Sequence, residues 1–350
     1  MINKSDYICT APFRYTEVHD KDQWLCCPSW LPVDIEQGLG IKGNFRSPKA
    51  QEVRDSILDG SYKFCNELQC PYLAGLKNNK VPSYKFLPKT DKNIRMIKSV
   101  KGPHTVNFSF DRSCNYACPS CRLDFVMYKG EDRKMVEKKL KEVNEELSPF
   151  VKRLYLSGAA DPFFSNSFRK FMIDLPAHKY KKLESMHLHT NGSLWTENLW
   201  NRMKGIHKFV TSCEISIDAA TKDTYENKTR IGGKWDTILE RLDFITQIPT
   251  ITWYCFSFVV QDSNYKEMYD YYKLIESYFK KRKTWCHWEV KTNRIINWGT
   301  YTDEQMVEKE VFRPDHPLFD DFLKELDRVK DFPHLIHNFH ELYESEPTLI

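Results

Sequence analysis

The stretch His104-Thr-Val-Asn-Phe-Ser-Phe110-Asp-Arg-Ser-Cys114-Asn-Tyr116-Ala-Cys118-Pro-Ser120-Cys121-Arg122 decides how the rest of the chain is read. Its first seven residues form a β-rich run, and the loop that follows carries three cysteines within eight residues. A loop leaving the end of a strand can wrap its thiolates around an inorganic centre. A 4Fe-4S cluster ordinarily takes four protein thiolates, so three close ones leave one iron with a position free for something else. A zinc ion held by three cysteines and a fourth ligand is the competing reading of the same spacing.

Outward from this loop, β-rich runs alternate with helical stretches. After His104 to Phe110 come Val151 to Ser157, Glu184 to Thr190, Thr211 to Asp218, Ile251 to Gln261 and Trp285 to Lys291. Between them, Glu131 to Leu147, Lys234 to Ile245 and Tyr265 to Lys280 have helical periodicity and good helix formers. Six such units predict an α/β fold with a parallel sheet, a partial (β/α)6 TIM-like barrel over residues 104–300. Barrel active sites are built from loops at the C-terminal ends of the strands, which is where the three cysteines fall. The flanks read differently. Residues 1–75 hold nine aromatic residues and five cysteines without convincing alternation, which suits a small cysteine-rich domain over 1–80. A polar linker over 81–103 follows, and 301–350 reads as a helical C-terminal extension, with helices at Asp303 to Val311 and Leu318 to Val329 and an acidic, irregular end.

The 350 residues are enough for one large barrel with an appendage. With 52 Lys and Arg against 48 Asp and Glu, the balance of +4 argues for neither nucleic-acid nor membrane partners. No signal-like start and no apolar run of roughly 18 residues is present, so a cytoplasmic protein is expected. In a reducing compartment, clustered cysteines point to metal or catalysis rather than disulfides.

Further along, strand ends deliver Ser157-Gly158-Ala159-Ala160-Asp161-Pro162, then His189-Thr190-Asn191-Gly192, then Glu214-Ile-Ser216-Ile-Asp218-Ala219 followed by Tyr225 and Arg230. In order and spacing these, with the C-x3-C-x2-C loop, resemble the radical S-adenosylmethionine superfamily over residues 104 to about 299. The resemblance implies a 4Fe-4S cluster on Cys114, Cys118 and Cys121, with S-adenosylmethionine on the open iron and cleaved to a 5'-deoxyadenosyl radical that abstracts hydrogen from a substrate. It implies cofactor contacts from Tyr116, Ser120, Gly158, Ala159, Ala160, Asp161, Asn191, Ser216, Asp218 and Arg230. The sequence departs from the family pattern where Ser120 replaces an aromatic or apolar residue, and where the Gly-Gly-Glu-Pro motif has become Gly158-Ala159-Ala160-Asp161-Pro162. Period-two alternation places Glu214, Ser216 and Asp218 on one strand face. If Ser257 and Gln261 mark the inner face of the fifth strand, Cys255 shares it and is a candidate hydrogen-atom donor; a buried cysteine acting only as a small hydrophobe is the plainer reading.

The earlier cysteines, Cys9, the adjacent Cys26-Cys27, and Cys65-x4-Cys70-Pro71, resemble SPASM and twitch auxiliary-cluster domains, here placed before the barrel. The resemblance implies an auxiliary 4Fe-4S cluster on Cys9, Cys65, Cys70 and one of Cys26 and Cys27; a structural zinc ion held by four cysteines is the alternative. The expected activity is that of an oxidoreductase or epimerase acting on a sugar or other small molecule, with a peptide- or protein-modifying maturase as the second reading. A reductant such as flavodoxin or ferredoxin is the expected partner. A protein that holds iron-sulfur or zinc centres for electron transfer or as a scaffold, without cleaving S-adenosylmethionine, is the reading from another class.

Overall fold

The computed structural model describes residues 3–26, 45–66, 70, 72–73, 76, 85–156, 159–339 and 342. The chain divides into two compact units, one of Met1–Arg112, Tyr128–Ala159 and Asp174–Met186, the other of Ser113–Met127, Ala160–Ile173 and His187–Ile350. The strands are β1 (Tyr7–Cys9), β2 (Tyr15–Val18), β3 (Gln23–Trp24), β4 (Phe86–Pro88), β5 (Thr105–Phe108), β6 (Arg153–Leu156), β7 (Ser185–Thr190), β8 (Val210–Ser216), β9 (Trp253–Val260), β10 (His287–Arg294) and β11 (Leu335–His337). Six of them, β5 to β10, are the runs read from the sequence, and the fold is α/β with a parallel sheet.

In the first unit, β5 pairs in parallel with both β2 and β6, and β3 closes antiparallel on β2. Residues 1–80 supply β2, whose Tyr15 to Val18 run beside Thr105 to Phe108. Four residues are too few for period two to be legible. A separate antiparallel pair, β1 with β4, sits on an apolar cluster that includes Ile8, Phe13, Ile57, Tyr62, Phe86 and Ile97. The helix Pro48–Asp59 over this cluster begins where Ser47 accepts from the Ala50 amide and Pro48 takes the first position, and it ends at Gly60 with φ of 91°. The expected linker over 81–103 carries β4 and the helix Asp91–Lys98, which Thr90 caps. Its polar composition hides a short helix that packs inward through Ile94 and Ile97 alone.

In the second unit, β8, β9 and β10 pair in parallel, in a register that sets Glu214 opposite Cys255 and Cys255 opposite Glu289. The helix Trp235–Ile245 buries Ile238, Leu242 and Ile245, and Met268–Lys280 buries Tyr271, Tyr272 and Ile275, both at helical spacing. The C-terminal helices Asp303–Lys309 and Phe319–Asp327 lie where the sequence placed them, the first opened by a capping box from Thr302 and Gln305. The stretch read as an irregular end adds β11, parallel to β10 from Val290↔Leu335 to Thr292↔His337. Three residues carry no periodicity, and the backbone bonds to β10 fix them. Among the described residues, no helix is long and apolar enough to cross a membrane.

Candidate functional site

The cysteine loop is built by backbone bonds before any side chain acts. Cys114 and Val126 exchange amide bonds at 2.8 and 3.3 Å, pinning the two ends of the loop together. A turn then brings the Cys121 and Arg122 amides to the Cys118 carbonyl at 2.8 and 2.9 Å. The Ala117 amide donates to Ile231 at 3.0 Å, which holds the loop against Arg230 to Gly233. Gly232 is strongly favoured there. Its φ is +94°, and a Cβ would lie 2.5 Å from the Phe125 ring and 3.2 Å from the Asn115 carbonyl.

Each of the three sulfurs faces a nitrogen donor. Asn191 Nδ2 lies 3.8 Å from Cys114 Sγ, Arg230 Nη1 3.5 Å from Cys118 Sγ, and Arg122 Nη2 3.6 Å from Cys121 Sγ. Burial pushes the Cys114 thiol up to about 12, with the nearby Asp161 adding to it. Burial raises Cys118 as well, against the pull of Arg230. Both thiols are therefore protonated in the bare chain near neutral pH, and a metal centre would have to displace those protons. Among the described residues, no three His, Cys, Asp or Glu side chains converge on one metal-sized point.

Asp161 organises the turn beside this loop. Its Oδ1 accepts from the Phe163 and Phe164 amides at 3.0 and 3.1 Å, and its Oδ2 from Thr190 Oγ1 and the Asn191 amide at 2.7 and 2.9 Å. Its own amide donates to Ser113 at 2.9 Å. The carboxylate thereby fixes the backbone of Asn191, whose side chain reaches Cys114 and also Asn115 Oδ1 at 3.0 Å. Asn115 donates in turn to Ser193 Oγ at 3.0 Å.

Arg230 is aimed by an unusual element. The π turn Tyr225–Thr229 closes on the Arg230 amide, which donates to the Tyr225 carbonyl at 2.8 Å. The buried guanidinium then meets Asp218 Oδ2 at 2.6 Å while its other arm points at Cys118. Asp218 has φ of 56°, a left-handed backbone that the Val259 amide, bonded to Oδ1 at 2.8 Å, and Asn264, bonded to its carbonyl at 3.0 Å, hold in place.

Along the β7 to β10 strands runs a polar band. His189 Nε2 and Ser257 Oγ both lie 2.9 Å from Ser216 Oγ, and Glu214 stands 3.9 Å from His189 and 4.0 Å from Lys291. Burial alone would raise the Glu214 carboxyl, but His189, Lys291, His187 and a bond from Ser257 outweigh it and hold it below its usual range. Burial, with help from His189, lowers His187 to about 4, so its imidazole is neutral; its Nδ1 lies 2.9 Å from Ser212 Oγ. Cys255 is buried between Glu214 and Glu289, and burial first, then these carboxylates, push its thiol upward.

The residues anticipated for cofactor contact thus fall into groups. Asn191, Ser216, Asp218 and Arg230 lie in this network, and Asp161 supports it from a buried position. Tyr116 is fully buried, with its hydroxyl 3.1 Å from that of Tyr225, so it packs beneath the loop. Ser120, Ala159 and Ala160 are half-buried. Gly158 and Cys27 lie outside the described residues. In the first unit, Cys9, Cys65 and Cys70 pack on one apolar cluster, with the Cys9 amide bonded to Tyr62 Oη at 3.2 Å and the Cys65 amide to the Tyr62 carbonyl at 2.9 Å. Burial lifts the Cys9 thiol to about 11, opposed by the Ala11 amide and assisted by Cys70. Cys26 adjoins Leu25 of a second small cluster.

Sequence reasoning gave no role to Arg122 or Gly232, whereas Ser257, read as marking the inner face of the fifth strand, bonds Ser216. A basic residue directly after the third cysteine and a Gly-Gly pair after Arg230 were the available signals. It also missed a buried group at the ends of β2 and β5, where Glu17 accepts from Tyr15 Oη and Ser109 Oγ, each at 2.8 Å, and lies 3.0 Å from His19 Nε2.

No protein-family model and no curated protein matches the chain. Solved structures similar to it include Streptococcus suis SuiB bound to S-adenosylmethionine, at 11% identity and a TM-score of 0.45, covering 84% of this chain and 61% of that one. A second is anSMEcpe with bound AdoMet and a Cp18Cys peptide, at 16% identity and a TM-score of 0.39, covering 55% and 51%. A third is TYW1 with a lysine-pyruvate adduct bound, at 16% identity and a TM-score of 0.39, covering 65% and 73%. The chain thus spans about 61% of the length of SuiB and 51% of that of anSMEcpe.

Proposed function

We propose that the protein is a radical S-adenosylmethionine enzyme, with Cys114, Cys118 and Cys121 holding a 4Fe-4S cluster. The observation that carries this reading is the set of three sulfurs on one loop, each supplied with its own nitrogen donor from Asn191, Arg230 or Arg122. Donors of this kind stabilise anionic sulfur and tune a cluster's potential, which fits thiolate ligation. When bound, the cluster and S-adenosylmethionine together supply one-electron cleavage of the sulfonium and, from it, hydrogen-atom abstraction.

The chain's own residues do the positioning. Arg230, locked to Asp218 and aimed by the π turn, carries positive charge to the edge of the loop; Asn191 is fixed by Asp161. The His189-Ser216-Ser257 bonds and the Glu214 carboxylate present a polar band suited to the hydroxyl, amine or carboxylate groups of a substrate. Cys255 keeps its S–H proton in this band; it would return a hydrogen atom to a substrate radical, and the thiyl radical left behind would be restored by one electron from the reductant and one proton. An epimerase or oxidoreductase acting on a sugar or small molecule is the preferred form of the reaction, with a peptide substrate second. Cys9, Cys65, Cys70 and one of Cys26 and Cys27 would hold an auxiliary cluster, a reductant such as flavodoxin or ferredoxin would supply electrons, and clustered cysteines in such a role suit the cytoplasm.

The test is 5'-deoxyadenosine formation by anaerobically reconstituted protein given S-adenosylmethionine and a strong reductant, beside the Cys114→Ala, Cys118→Ala, Cys121→Ala triple variant. Product from the wild type alone supports the proposal. Iron-loaded wild type that neither binds nor cleaves S-adenosylmethionine would instead indicate a cluster carrier.

A further inference from the structure

A cleft in the first unit lies at the N-terminal ends of its strands β2, β5 and β6. Its rim residues directly precede strands: Arg14 before β2, His104 before β5, and Lys152 before β6. Backbone bonds fasten them in series, the His104 amide to the Arg14 carbonyl at 2.7 Å and the Lys152 amide to the His104 carbonyl at 2.8 Å. The rim is therefore as rigid as the sheet that carries it.

The charge in this cleft is one-sided. Arg14, Lys101, Lys152 and Lys182 line it together with His104, and no carboxylate does. The Glu184 carboxylate stands 2.9 Å from Lys152 and its charge also reaches His104, one acid against four basic side chains. The Arg14 Nε is buried and has no hydrogen-bond acceptor among the described residues. Burial, then Arg14, Lys152 and Lys182, hold His104 below its usual range against the opposing pull of Glu184. One wall is apolar, made by Met96, Val100 and Phe150, and Gly102 lets the chain lie on the Phe150 ring where a Cβ would come within 2.4 Å. The volume of about 360 Å³ lies within the range of roughly 300–1,000 Å³ typical of small-molecule sites.

We infer that this cleft binds a small phosphorylated ligand with an aromatic or aliphatic body. A singly charged carboxylate would leave most of the rim uncompensated, whereas a phosphomonoester brings close to two charges and three acceptor oxygens. The apolar wall and the volume call for more than bare phosphate.

Isothermal titration of the full chain with AMP as probe, and with inorganic phosphate beside it, tests this. One saturable AMP site is expected, tighter than that for phosphate. The exposed pair Lys101→Gln and Lys182→Gln should weaken it by roughly tenfold or more, since hydrogen bonds to charged groups are the stronger kind. A control pair of equal charge change, Lys138→Gln and Lys283→Gln, should leave it unaltered. Saturating AMP should also move the NMR titration of His104 to higher pH. No saturable binding, or equal weakening by both pairs, overturns the site; phosphate binding as tightly as AMP overturns the apolar body.

Discussion

Asp161 illustrates how far a residue's role can depart from the motif that announces it. The motif suggests cofactor contact, but its two oxygens take four protein donors, so its work is to set the backbone under Asn191. Asp161→Asn would turn an amide donor toward one of those pairs and should cost about 2–4 kcal/mol in equilibrium unfolding. A loss under about 1 kcal/mol would show the carboxylate to be dispensable. His187 makes a second residue-scale prediction. Its folded-state pKa is depressed from 6.5 to about 4, so the unfolded chain binds the extra proton first. Stability should therefore be complete above pH 6.5 and fall by about 3 kcal/mol as the pH drops toward 4. His187→Gln should flatten that slope in urea titrations run across the same range. Neither role could be read from sequence, because both depend on partners more than 20 residues away that no local pattern announces.

At the scale of elements, the cysteine spacing and the strand that precedes it were legible because loop and strand are contiguous in the chain. The donors were not, since Arg230 acquires its aim from a π turn and from an Asp218 backbone that no propensity predicts. Gly232 belongs to the same element. Gly232→Ala should cost about 1–3 kcal/mol through left-handed strain and collision with Phe125. Iron bound after reconstitution should fall with it, and unchanged loading would separate the loop from its Gly-Gly support. Another element hangs on one side chain: Arg282 donates to the carbonyls of Thr246, Ile248 and Ile251 and to Tyr254 Oη, closing the end of the helix Trp235–Ile245. Arg282→Ala should lower stability by about 2–4 kcal/mol, and Arg282→Lys, lacking the planar fork, should recover less than half of it by the same unfolding measurement.

Over the whole molecule, the alternation of six apolar runs with helices gave the α/β class, since buried parallel strands keep their composition even where alternation is lost. The short strands β2, β4 and β11 stayed hidden because three or four residues carry no period. If both cysteine sets bind clusters, iron analysis should give about eight per chain, and about four after Cys9→Ser, Cys65→Ser and Cys70→Ser. Full iron in that variant would remove the auxiliary centre. Strand β11 also limits how a partner can approach. By pairing with Val290 to Thr292, and with Asn338 bonded to the Arg294 amide at 3.0 Å, it covers the backbone row of β10 and leaves its own three residues as the edge of the sheet on that side. An extended peptide would find only three residues of backbone to pair with there, so its side chains along the polar band would have to supply most of its recognition.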